Sequence, residues 1–186
     1  MMPIIDRIKN ILMAPKSEFP TVKAEAVDIA GYYKSYLIYI AALPAIGTLL
    51  SFGAYWGFSY RLRLAIISYL VTLASFYISA FIINELAQTF QSTKSLINAL
   101  KLVGYAATAS MVGQLLAFLP GIGWLLSLAG SVYSIYLFYL GIPIFMDTPQ
   151  EKTILYMVVA FLVSIVVYSI LAAVLFPFFG VSLMWR

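Results

Sequence analysis

The chain has 186 residues, 63% of them hydrophobic and 10% charged, with a net charge of +4 and neither cysteine nor histidine. Soluble domains carry about a quarter charged residues, so lipid must serve as solvent for much of this surface. The missing residue types remove disulfides, thiol chemistry, imidazole bases and the common zinc ligands together, and no cofactor, metal or nucleic-acid partner is expected.

The first residues, MMPIIDRIKN, place charges where a signal peptide needs its apolar core, so no cleaved signal is expected. Ile4, Ile5, Ile8, Ile11 and Leu12 recur at helical spacing, with Asp6, Arg7, Lys9 and Asn10 assigned to the opposite face. This pattern predicts an amphipathic helix lying in the headgroup plane. Pro15 stops it, and TVKAEAVDIA predicts a second short helix closed at Gly31. Residues 1–35 thus form a cytosolic or interfacial segment ahead of a transmembrane domain over 36–186.

Crossing a bilayer core of about 30 Å takes about 20 apolar residues in a helix. Five runs qualify: Tyr36–Ala54, Leu64–Ile83, Leu102–Leu119, Trp124–Met146 and Ile154–Phe176. None alternates apolar with polar residues as a barrel strand does. The expected fold is all-α and polytopic, with five transmembrane helices behind the interfacial one. Tyr32, Tyr33, Tyr36 and Tyr39 cluster where the first run begins and read as an aromatic belt.

The stretch NELAQTFQSTKSLINALK between the second and third runs is too polar to span. It is too apolar for a free linker, and Leu86, Phe90, Ile97 and Leu100 are expected to rest in the interface. In the fourth run, Ser127, Gly130, Ser131 and Ser134 fall at i, i+3, i+4 and i+7. Small residues at that spacing let another helix approach closely, as Gly104 beside Tyr105 would on the third. Whether the fourth-run stripe packs within the chain or builds a homo-oligomer stays open.

The polar island Asp147–Lys152 turns the chain between the last two runs. Thr148 is the expected N-cap, Pro149 the first helical residue, and Gln150 and Glu151 suit the positive helix start. Asp147 stands at the negative end of the preceding helix and needs a cation such as Lys152. With five spans, Arg7, Lys9, Lys16, Lys23, Lys34, Lys94, Lys101 and Lys152 share one side, against Arg61, Arg63 and Arg186 on the other. Basic residues stay cytoplasmic, which predicts the N-terminus inside and the C-terminus outside. All seven acids fall on the inner side too. Asp147, Thr148, Pro149, Gln150, Glu151 and Lys152, with Glu85 and Lys101, are the candidate cytosolic docking residues.

RIKNILMAPKSEFPTVKAE, LAQTFQSTKSLINALKLVGYAAT and YLGIPIFMDTPQEK together resemble the Yip family of integral membrane proteins, in order and over nearly the whole chain. The family is named for binding Ypt/Rab GTPases in eukaryotes and has a large bacterial branch. The resemblance implies five spans, a cytosolic N-terminus and a role in membrane organisation or trafficking. Ala109 stands where the family often has proline, and the long acidic N-terminal region of eukaryotic members is missing, so Rab binding is not carried over.

Chemistry is poorly provided for. No acid lies in the middle of a run, and Ser68, Ser75, Ser127 and Ser164 have no evident base. The leading expectation is a non-enzymatic scaffold or adaptor in a bacterial inner membrane. Its partners would be the bilayer, a cytosolic protein and further copies of itself. The alternative is passage of a small solute or lipid through the bundle.

Overall fold

The computed structural model describes residues 3–51 and 57–178. Helix α1 covers Ile4–Met13 and α2 covers Pro15–Ala24. Five further helices are long and apolar enough to cross a membrane: Ile29–Leu50, Phe58–Phe90, Leu96–Phe118, Gly123–Met146 and Gln150–Val167, the last continuing as helix to Phe178. No strand occurs among the described residues. The all-α, five-span architecture is the one expected. The anticipated end of the first span at Ala54, and Arg186 beyond the fifth, lie outside the described residues.

Helix boundaries shift outward from the apolar runs. The first span starts at Ile29, where Asp28 caps it by accepting from Gly31 N. The third starts at Leu96, after Ser95 accepts from Asn98 N. These caps satisfy backbone donors that hydropathy does not see. The anticipated loop over 84–101 therefore shrinks to a short link between a 3-10 turn at Ala87–Phe90 and Ser95. Phe90 and Leu100 are buried in the core, while Leu86 and Ile97 pack against it. The third span runs as unbroken α-helix through Ala109 to Leu115. The first contains a π-helical turn at Tyr33–Leu37.

The third span is the centre of the bundle. It packs against the first, second and fourth spans and touches both short N-terminal helices, and its interface with the fourth is the most extensive. Glycine explains that intimacy: a Cβ on Gly130 would lie 2.5 Å from the Ala109 carbonyl oxygen and 3.1 Å from Gly113 Cα. The two backbones touch, which side chains larger than hydrogen would forbid. Ser134 Oγ accepts from Ser110 N at 2.8 Å across the same seam. Ser131 departs from the stripe: it is exposed, lines a groove of about 310 Å3 where the second to fifth spans meet, and turns its hydroxyl back to the Ser127 carbonyl.

Candidate functional site

The N-terminal segment is part of the bundle's core, not a separate layer on it. Ile11, Phe19 and Val22 are fully buried beside third- and fourth-span residues. Phe19 packs on Phe145 at 5.4 Å, and Tyr133 donates from the fourth span to the Leu12 carbonyl at 2.8 Å. Ile5, by contrast, is 75% exposed. The inward side of α1 carries Ile4, Arg7, Ile8 and Ile11, with Ile4 and Arg7 each four residues before Ile8 and Ile11, so Arg7 belongs to the buried side and not to the polar face expected for it.

Arg7 is buried between two acids. Its Nη1 donates to Glu18 at 2.7 Å and its Nη2 to Glu25 at 2.5 Å. Asn10 donates to the other Glu18 oxygen at 3.3 Å. Burial works against the charge, but Glu25 and Glu18 outweigh it and hold the guanidinium above its ordinary range. The α1–α2 hairpin is thereby closed by a charge network.

Lys101 fastens the hairpin to the third span. Its ammonium donates to the carbonyls of Val22 at 2.8 Å, Lys23 at 3.2 Å and Glu25 at 2.7 Å. An ammonium has three donors, and all three are spent where the last carbonyls of α2 lack helical partners. Lys101 is only 2% exposed. It is therefore a buried latch and not the surface docking residue expected.

The turn after the fourth span is held from three directions. Lys23 meets Asp147 at 2.6 Å, so the compensating cation comes from α2 and not from Lys152. Asp147 adopts φ 52° and ψ 37°, the left-handed stop that closes many helices. Thr148 is not the anticipated N-cap: its hydroxyl bonds Ser92 at 2.8 Å and the Ile142 carbonyl at 3.4 Å. Thr93 N donates to the Met146 carbonyl at 2.7 Å. Tyr156 donates to the Ile83 carbonyl and stacks on Phe90. Pro149, Gln150 and Glu151 stay exposed, as do Lys9, Lys16 and Thr21 on the hairpin, while Glu85 pairs with Lys94 at 2.7 Å on the surface. The hairpin, the 91–95 link and the 147–149 turn therefore lie at one end of the bundle and form a single mixed-charge face.

Beneath α1 lies a cavity of about 350 Å3, bounded by Arg7, Glu25, Tyr32, Ser35, Tyr36 and Tyr105. Tyr32 and Tyr36, expected as a belt, are buried here in a ring cluster with Tyr105, with centroids 4.7 to 5.8 Å apart. Gly104 makes room for it, since a Cβ there would lie 2.6 Å from the Tyr32 hydroxyl and 2.5 Å from Leu37. Tyr36 hydrogen-bonds Thr108 at 2.8 Å. The Tyr32 hydroxyl is buried with no hydrogen-bond partner; Tyr105 lies close enough to interact with it but not in bonding geometry. Among the described residues no three acids converge on a point where a metal could sit.

An apolar five-helix bundle with a charged, internally braced face at one end defines an integral membrane protein. The chain matches the Yip1 domain over residues 9–184 and belongs to that family. It is similar to the Inner membrane protein YohC of Escherichia coli K12, 27% identical over 91% of this chain and 93% of that protein, and equally to YohC of E. coli O6:H1. No solved structure matches it.

Proposed function

We propose that this chain is a non-enzymatic scaffold of a bacterial inner membrane whose N-terminal face points to the cytosol and holds a protein partner. The observation that carries this reading is the Lys101 latch with the Arg7 and Lys23 ion pairs. Together they hold three separate segments as one surface before any partner arrives. A preformed surface binds without the ordering cost a loose tail would incur. Charges of both signs reach its surface, Asp6, Lys9 and Lys16 on the hairpin and Glu151 beside Lys152 after the turn, and suit a polar protein partner. The basic bias of this end supports the cytosolic side, and the similarity to the inner membrane protein YohC supports the inner membrane.

The test is a photo-crosslinking amino acid at Gln150 or Thr21 in native membranes. The reading expects a discrete protein adduct at both positions that disappears in a Lys101→Met background. Adducts to lipid alone at both positions would overturn it.

A further inference from the structure

Beyond protein docking, the cavity under α1 has the makings of a ligand site. We propose that it binds a zwitterion carrying a primary ammonium beside a phosphodiester, the chemistry of a phosphatidylethanolamine headgroup or its soluble glycerophospho form. The Arg7–Glu25 pair sets one positive and one negative charge side by side in its wall, and behind them Glu18 and Lys101 complete a balanced set of two cations and two acids. A zwitterion of matching polarity adds no unpaired charge there, whereas a lone anion or cation would.

Each end of that zwitterion finds a partner. Glu25 meets Arg7 through one oxygen, and its side chain is 44% exposed, leaving the second oxygen to accept from an ammonium. Tyrosine faces around it add cation–π attraction. Arg7 has five N–H donors and spends two on the acids, and the buried, unpartnered Tyr32 hydroxyl supplies another donor for a phosphate oxygen. An unpaired buried hydroxyl is costly unless a ligand satisfies it. The wall at Ser35 and Tyr36 is π-helical, a distortion frequent at functional sites.

The surroundings suit an amphiphile. A second depression of about 470 Å3 adjoins the cavity, sharing Ile4 and Ser35 and adding Lys34 and Tyr39. Tyr39 in its wall is 52% exposed and, with Ile4, offers apolar ground for acyl chains.

The experiment measures binding to the purified full-length chain by native mass spectrometry and by Tm shift. The probes are dioleoyl phosphatidylethanolamine, the matched phosphatidylcholine and phosphatidylglycerol, and soluble glycerophosphoethanolamine. Phosphatidylcholine keeps both charges but has no N–H, so losing a charge-assisted hydrogen bond should weaken it about tenfold or more. Glu25→Gln should erase the preference for ethanolamine. Tyr32→Phe should leave the ligand-free Tm unchanged or raised while weakening ethanolamine binding, and Ser35→Phe, filling the cavity from its rim, should abolish it. Binding of the lipid alone assigns a membrane ligand, and binding of the soluble form as well assigns the headgroup itself; either supports the site. Ethanolamine lipid binding no tighter than the other two, or unchanged in Tyr32→Phe and Ser35→Phe, overturns it.

Discussion

Lys101, on the third span, donates to the carbonyl of Val22, seventy-nine positions earlier in the chain, at 2.8 Å. The bond sits at the C-terminal end of α2, where helix carbonyls concentrate negative potential and a cation is favoured. It ties the end of α2 to the third span, beside the Phe19–Phe145 packing, the Tyr133–Leu12 bond and the Lys23–Asp147 pair that hold the same hairpin to the fourth.

Replacing Lys101 with Met should therefore loosen the C-terminal end of α2 while keeping the apolar stem. Each carbonyl left dry costs about 1–3 kcal/mol on the scale of soluble proteins. The expected result is a lower Tm in detergent together with new proteolytic cleavage near Lys23. The Lys101→Arg variant should recover part of the loss.

The Gly130–Gly113 contact makes a contrasting pair of variants informative. Gly130→Leu drives a side chain into the Ala109 carbonyl and should destabilise by about 1–3 kcal/mol or more. Ser131→Leu, one position on, points into the open groove and should change Tm far less. A melting series that ranked them the other way would mean the seam lies elsewhere.

Five spans and their helical character could be read from the apolar runs alone, and so could the close approach at Gly130. What escaped was long-range. Nothing local marks the carbonyls that Lys101 caps, because they belong to α2. Tyr32 and Tyr36 look like interfacial anchors because an amphipathic ring suits a membrane surface and a core equally. Arg7 was hidden by its charge, although its spacing from Ile4 and Ile11 already put it on the buried side. Helix starts at Ile29 and Leu96 lie in polar sequence, where the signal is a capping side chain and not hydropathy.

Asp147 separates backbone conformation from charge. Asp147→Gly removes the ion pair with Lys23, worth up to about 1 kcal/mol at its half-exposed position. It also frees a left-handed residue from strain, so Tm should move little. Asp147→Val loses the pair and places a β-branched residue at φ 52°, a strain of about 1–3 kcal/mol. Thermal melting of the two variants should show only the second clearly lowered.

The surface of α1 predicts a labelling pattern. With no native cysteine in the chain, nitroxides can be placed singly. A label at Ile5 should be accessible to oxygen but shielded from a water-soluble relaxer. A label at Lys9 should show the reverse, and one at Ile8 should be protected from both relative to its neighbours. High aqueous accessibility at all three would mean the helix leaves the bundle.

Everything proposed for the docking face requires that it look into the cytosol, and one measurement addresses this directly. Single cysteines at Gly121, in the turn before the fourth span, and at Gln150, in the turn after it, are exposed to a membrane-impermeant maleimide in intact cells and again after lysis. The account predicts labelling of the Gly121 position in intact cells and of the Gln150 position only after lysis. Labelling of Gln150 in intact cells, with Gly121 protected, would place the hairpin, the latch and the charged turn on the wrong side of the membrane and contradict it.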